Sequence, residues 1–244
     1  KILYRNGEPV SDMVVPDEVE NISAYSFYNC TSLTNVSMGA GVTNVGQCAF
    51  FNCRNLARVT LGANVKSVGW EAFCDCSSLR EIDLGLVQSI SRFAFWRCTS
   101  LGEVVLPDSV TSLGSYAFES CTSMTNLVIG TGVTQLPQRA FYNCTSLASV
   151  SIPATLVKSD YYAFDGDRSI SRVDITDWDA WRRISFADTT ANPTYYGATL
   201  YLNGVPVTKE EIYEDVGANT RAGANLTHVY ILDGCTTIGS QAFS

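Results

Sequence analysis

The chain has 244 residues, of which 46% are hydrophobic, enough for a packed core, while only 16% are charged, so its polar surface must be built mainly from Ser, Thr, Asn and Gly. Sixteen Lys and Arg against 24 Asp and Glu leave a net charge of −8, which argues against nucleic acid, whose phosphates call for a basic stripe, and against anionic membrane surfaces. A single histidine, His228, weakens any His-based triad or multi-histidine metal site, and no apolar run nears the roughly 18 residues of a spanning helix, so membrane insertion is not expected.

The first element, residues 1–16, reads as a small hairpin. Leu3-Tyr4-Arg5-Asn6-Gly7-Glu8-Pro9-Val10 places Asn-Gly between two apolar stretches, a strong short-range hairpin signal. From residue 17 to 175 the chain repeats. Phenylalanine recurs at Phe27, Phe50, Phe73, Phe95, Phe118, Phe141 and Phe164, in steps of 23, 23, 22, 23, 23 and 23. Three residues after it stands cysteine, at Cys30, Cys53, Cys76, Cys98, Cys121 and Cys144. The unit reads L-x-x-V-x-L/I-x(3)-V-x-x-I-G-x-x-A-F-x-x-C. Its V-x-L part alternates, which predicts a short strand with one buried face. Its Ala-Phe-x-x-Cys part brings Phe and Cys to one side at a spacing of three, which predicts a helical turn. Gly46, Gly69, Gly114 and Gly239 fall at the bend before that turn. So short a unit cannot bury its own apolar face. Stacking its neighbours can, and the expected fold is an α/β solenoid with a parallel sheet on one side, about eight rungs of 22–23 residues and roughly 40 Å long at ~4.8 Å per rung.

Residues 176–225 leave the period. Asp177-Trp178-Asp179-Ala180-Trp181-Arg182-Arg183-Ile184 predicts a short helix capped by Asp177, with both tryptophans on one face. Leu200-Tyr201-Leu202-Asn203-Gly204-Val205-Pro206-Val207 echoes the N-terminal hairpin. Thr208 and Glu211 form a capping box that predicts a second helix through Ile212 and Val216, stopped at Gly217. An eighth copy begins at Leu226, with Val229, Ile231, Ile238, Ala242 and Phe243 in register. It stops mid-unit, so the natural chain is expected to continue past Ser244. The whole of 1–244 is read as one solenoid domain.

The repeats resemble the BspA-type leucine-rich repeat. The resemblance is carried by Ala49-Phe50-Phe51-Asn52-Cys53-Arg54-Asn55-Leu56, by Ala117-Phe118-Glu119-Ser120-Cys121-Thr122-Ser123-Met124, and by Leu106-Pro107-Asp108-Ser109-Val110-Thr111-Ser112-Leu113-Gly114. It implies a right-handed leucine-rich-repeat solenoid. It also implies secretion or surface display, and adhesion to a host or other-cell surface or matrix protein.

Three groups of residues are candidates for chemistry. The six in-register cysteines are expected to be a ladder of buried free thiols acting as small hydrophobes; disulfides and a thiol metal site are the alternatives. Cys48, Cys74 and Cys235 lie outside that register, and Cys74-Asp75-Cys76 is a weak metal signal. The second group is the outward strand face. Residues flanking the central aliphatic of each strand form two columns, one with Asn35, Arg58, Glu81, Glu103 and Asn126, the other with Ser37, Thr60, Asp83, Val105 and Val128. Extended faces of this kind commonly bind protein ligands. Glu81, Asp83 and Glu103 gather into an acidic cluster that has a paired-carboxylate hydrolase reading, a weak calcium reading, and a plainer one as a solvated face on which Arg58 pairs Glu81. The third group is aromatic: Tyr28, Phe51, Trp96 and Tyr142 just after the repeat phenylalanine, and Tyr25, Phe93, Tyr116, Tyr161 and Tyr162 just before it. They can stack on sugars or anchor a partner, or simply pack turn against turn. No motif supports nucleophilic catalysis, a phosphate loop, a metal or a cofactor. The expected protein is a non-enzymatic, extracellular or cell-surface recognition module that binds protein, possibly glycan, through its strand face; a structural spacer is the competing reading.

Overall fold

The computed structural model describes residues 1–207, together with the backbone of 209–212 and 228–231. The V-x-L segments form the main ladder of a solenoid. Asp12–Val15, Asn35–Met38, Arg58–Thr60 and Glu81–Asp83 pair in parallel as one sheet. Glu103–Leu106, Asn126–Ile129, Ser149–Ile152, Arg172–Ile175 and Thr199–Leu202 continue as a second, which ends on the antiparallel strand Val205–Pro206. The register follows the repeat: Asn35 opposes Arg58, Arg58 opposes Glu81, and Glu103 opposes Asn126. The second aliphatic pair of each unit builds another parallel ladder, of two-residue strands from Asn21–Ile22 to Ser112–Leu113 and from Gln135–Leu136 to Ser185–Phe186.

The Ala-Phe-x-x-Cys segment is not the helical turn that its spacing predicts. Alternate amides leave the turn and bond the next rung. Phe27 N–H donates to Ala49 O (2.8 Å), Asn29 N–H to Phe51 O (2.8 Å) and Phe50 N–H to Ala72 O (2.8 Å), while Cys53 N–H closes back on Phe50 O (3.1 Å). Left-handed residues four apart, such as Cys48 (φ 51°) and Asn52 (φ 57°), aim those amides along the rod. Backbone groups that a helix would satisfy internally are satisfied between rungs. The Phe-to-Cys spacing survives because both segments return every third residue to the core. Among the described residues the only α-helix is Trp178–Arg182, whose Asp177 cap accepts the Ala180 N–H at 2.9 Å.

The core is a set of columns. The repeat phenylalanines stack near-parallel from Phe27 to Phe164; Phe50 and Phe73 lie 5.2 Å apart at 2°, and Phe95 and Phe118 lie 5.0 Å apart at 8°. Centroid spacings above the ~4.8 Å rung rise mark offset rather than face-to-face stacking, the favourable arrangement. Phe50 through Phe141 are fully buried, each contributing about 1.5–3 kcal/mol by burial. Gly46, Gly69 and Gly114 owe their place to rung spacing and not to a turn conformation. A Cβ on Gly114 would stand 2.3 Å from Arg92 N of the rung before.

The period breaks after Ile175, but the ladder does not. Lys158 pairs Ser185, and Arg172 pairs Thr199. Helix Trp178–Arg182 and the following loop are thus the long arc of a further rung. Asn6 (φ 53°) and Gly7 (φ 86°), like Asn203 (φ 50°) and Gly204 (φ 81°), turn the two hairpins. The helix expected from the Thr208 capping box is corrected in part: Lys209–Ile212 is a strand, pairing in parallel with His228–Ile231, so tertiary pairing overrides a local helix-start signal. Gly217, Cys235, Ile238, Ala242, Phe243 and the expected continuation lie outside the described residues.

Candidate functional site

Every strand of the main ladder turns one set of side chains inward and the other out. In Arg58–Thr60, Glu81–Asp83 and Glu103–Leu106 the outward residues are exposed and the inward ones buried. The structure places all ten strand-face candidates on this one outer face: Asn35, Arg58, Glu81, Glu103 and Asn126 in one column, Ser37, Thr60, Asp83, Val105 and Val128 in the other.

The face is not uniform. Between Glu81–Asp83 and Glu103–Leu106 the parallel ladder is interrupted. The interruption falls in the only repeat whose phenylalanines are 22 residues apart, Phe73 to Phe95. There, Leu84-Gly85-Leu86-Val87 stands where the preceding unit has Leu61-Gly62-Ala63-Asn64-Val65. The missing residue is absorbed by a tight bend: Gly85 takes φ 47° and donates its N–H to Asp83 Oδ1 at 2.9 Å. A groove of about 420 Å³ opens at this point, walled by Arg58, Thr60, Glu81, Asp83, Glu103 and Val105, with Gly85 and Pro107 at its lip. Ile82 is 9% exposed on its floor, whereas Val104 and Leu127 are fully covered.

The three carboxylates in the groove are already engaged. Glu81 Oε1 pairs with Arg58 Nε at 2.7 Å, with both side chains about two-thirds exposed (65% and 66%). Glu103 Oε1 accepts from Asn126 Nδ2 at 2.7 Å, and Asp83 holds the Gly85 amide. An exposed pair such as Arg58–Glu81 contributes about 0–1 kcal/mol, so it organises the face more than it stabilises the fold. The hydrolase reading needs an acid and a base free to act on one substrate, and these side chains are committed to a guanidinium, an amide and a backbone turn. The calcium reading needs converging oxygens, and among the described residues no three His, Cys, Asp or Glu side chains are placed to hold a metal ion. Three carboxylates against one guanidinium leave the groove with two negative charges and exposed Val105 beside them.

The aromatic candidates lie on the opposite, turn side. Most are half-buried between rungs: Tyr28 on Phe51 (4.9 Å), Phe93 on Tyr116 (4.8 Å). Arg92 covers the Phe93 and Tyr116 rings, Arg139 covers Tyr142 at 4.6 Å, and Trp96 Nε1–H donates to Glu119 Oε1 at 3.2 Å. Burial lifts the Glu119 carboxyl above its usual range, against the Trp96 hydrogen bond and Arg139. Ring faces spent on arginines and on one another are closed to sugars. Tyr25, Tyr161 and Tyr162 remain exposed.

The eight described cysteines are free and buried. The in-register thiols do more than fill space. Cys53 Sγ donates to Phe27 O (3.0 Å), Cys76 to Phe50 O (3.1 Å), Cys98 to Phe73 O (3.2 Å), Cys121 to Phe95 O (3.3 Å) and Cys144 to Phe118 O (3.3 Å). Burial pushes the Cys53 thiol up to about 12 and Cys76, Cys98 and Cys144 well above the usual thiol range. Such thiols are neither nucleophiles nor ready metal ligands. The two outside the register meet carboxylates instead, Cys48 facing Glu71 at 3.5 Å and Cys74 facing Asp75 at 3.9 Å. Sequence reasoning missed the groove and the thiol bonds. Only the single 22-residue step signals the groove, and nothing in a one-letter pattern separates a thiol that donates from one that packs.

The model of the BspA type leucine-rich repeat region matches residues 3–87 and 85–191, in six copies. The chain belongs to the BspA-type leucine-rich repeat family. Among solved structures it resembles the leucine-rich repeat protein of T. pallidum (29% identity, TM-score 0.60, covering 66% of this chain and 78% of that one). A leucine-rich repeat protein from Bacteroides ovatus matches over 100% of this chain and 77% of its own (22% identity, TM-score 0.61). A leucine rich cell surface protein from Faecalibacterium prausnitzii matches over 96% and 89% (20% identity, TM-score 0.55). No curated protein matches. No helix among the described residues of this BspA-type chain is long and apolar enough to cross a membrane.

Proposed function

We propose that this BspA-type chain is a non-enzymatic recognition module of the bacterial surface or secreted space, binding a protein partner through its strand face. The observation that carries the reading is the groove at the short repeat. It is the place where the repeating face becomes singular, with an exposed apolar wall, Val105, over a floor that reaches core residue Ile82, beside net negative charge. Apolar contact at the centre with charge around it is the ordinary anatomy of a protein-binding patch. The charge selects a partner that presents a Lys- or Arg-bearing loop. The same charges would raise its association rate at low salt.

The test is direct binding of the purified chain to a panel of extracellular matrix proteins and a glycan array, at 50 and 300 mM salt. A protein ligand whose binding weakens with salt, and is abolished by Glu81→Lys with Glu103→Lys, supports the reading. A panel without a single binder favours the spacer, and glycan binding that survives both substitutions moves the site off the strand face.

A further inference from the structure

The cysteine column ends before the repeats do. Three residues after Phe164 stands Asp167 in place of cysteine, with no solvent exposure. In the lower rungs the column has fixed bonding. The cysteine N–H closes on the phenylalanine carbonyl of its own turn, and the thiol of the next rung donates to that same carbonyl. Phe95 O, for example, accepts Cys98 N–H at 3.2 Å and the Cys121 thiol at 3.3 Å. Asp167 changes both. Its Oδ1 takes the Cys144 N–H at 2.6 Å, so that amide is drawn away from Phe141 O. Its Oδ2 is buried with no hydrogen-bond partner.

We infer that Asp167 is a pH-sensitive latch: as a neutral carboxyl it closes the seventh rung onto the column, and on ionising it loosens that rung and the segment packed on it. A neutral carboxyl has one oxygen to accept the Cys144 amide and one O–H to give, the donor that a thiol supplies in the five rungs from Cys53 to Cys144. A carboxylate has no donor, and it leaves a buried charge without a counterion. The charged and titratable groups around it offer none. Asp165, on the same turn, adds a second negative charge and is held by Tyr196 OH at 2.8 Å. Cys144 below is a neutral thiol, and the Arg168 guanidinium is spent over the Tyr196 ring at 5.6 Å. Desolvation, opposed by the Cys144 amide and reinforced by Asp165, holds the Asp167 carboxyl well above its ordinary 3.8.

The direction of the effect follows from linkage. The unfolded chain loses this proton near pH 3.8, while the folded chain keeps it to higher pH. Between those limits the folded state binds the extra proton, so its advantage is whole below the lower limit and falls tenfold per pH unit above it. What loosens first is the arc above. Phe164 N–H holds Thr190 O at 3.1 Å, Tyr162 N–H holds Asp188 Oδ2 at 3.1 Å, and Gly166 N–H holds Tyr196 OH at 3.2 Å.

The experiment compares the full chain with Asp167→Asn, a neutral isostere that keeps one acceptor and one donor, and with Asp167→Cys, which restores the column residue. Denaturant unfolding is measured from pH 4.5 to 8.5, with amide exchange at Phe164 and Gly166 corrected for the intrinsic pH dependence. The latch predicts that the folding constant of Asp167→Asn relative to the native chain rises by up to tenfold per pH unit. It also predicts that exchange at the two amides accelerates with pH in the native chain only. A ratio that stays flat across the range, for both the asparagine and the cysteine variant, overturns it; so does a ratio that falls with pH.

Discussion

The inside and the outside of this rod obey different rules. Inside, the phenylalanine and cysteine columns repeat with the same neighbours at each step: ring on ring from Phe27 to Phe164, thiol to carbonyl from Cys53 to Cys144. Outside, the strand face has the same backbone but side chains that change in charge along it, Asn35, Arg58, Glu81, Glu103 and Asn126 in a single column. The identical positions specify the fold, because one misfit would be felt by both neighbours. The variable ones are free to specify a partner, because the ladder beneath them does not depend on which side chain points to water. The short repeat at Gly85 is where the two rules meet, since a single deletion leaves the core columns intact while it interrupts the outer ladder.

The contrast is sharpest in alkali. The column thiols keep their protons in the folded rod well above the unfolded thiol range, so folded stability is whole below about pH 8.5 and drains as the pH rises beyond it. Each buried thiol costs on the order of 2 kcal/mol by pH 10. Five of them, Cys53, Cys76, Cys98, Cys121 and Cys144, cost on the order of the whole stability of an ordinary domain. Near-ultraviolet circular dichroism should therefore show cooperative unfolding near pH 10, shifted upward in Cys98→Val; a rod folded at pH 11 would break the account of the column. Next in size, Phe95→Ala should cost about 3–5 kcal/mol in denaturant unfolding, since the hole it leaves is lined by Phe73 and Phe118, which cannot close it.

Two glycines separate the inner rule from the outer one more finely. Gly114→Ala drives a Cβ into the backbone of the rung before, while Gly85→Ala meets open space and costs only its left-handed conformation. Expected losses are several kcal/mol for the first and about 1 kcal/mol for the second; equal losses would mean that the rungs are not packed as tightly as described. The smallest effect belongs to the face. Arg58→Ala should change stability by less than about 0.5 kcal/mol, while it removes the partner of Glu81 and alters the salt dependence of binding.

Most of this architecture was legible in the sequence because the period was. Val36, Val59 and Ile82 announce the strand, and its flanking residues announce the outer face. The helical turn was misread at Ala-Phe-x-x-Cys for a physical reason. A spacing of three returns a residue to one side in a helix and in this extended turn alike, and only the hydrogen-bond partner, one rung away, distinguishes them. The arc from Thr176 to Ala198 hid its rung because it is longer than the repeat: Arg172 and Thr199, opposed in the ladder, stand 27 residues apart where other rungs take 22 or 23. The capping box at Thr208 misled because local signals do not report a partner strand 19 residues on, Lys209 opposite His228. The site was half legible: its residues could be named, but the groove joining Arg58, Glu81, Asp83, Glu103 and Val105 depends on where one missing residue is absorbed.

The central claim is that recognition sits on the singular part of the outer face. Hydrogen–deuterium exchange tests it most directly, on the chain alone and with the matrix protein that binds best in the panel. The account predicts protection gathered at residues 58–60, 81–85 and 103–107, with the turn side at 92–97, 115–120 and 138–142 unchanged. Protection on the turn side, with the groove unaltered, would contradict it.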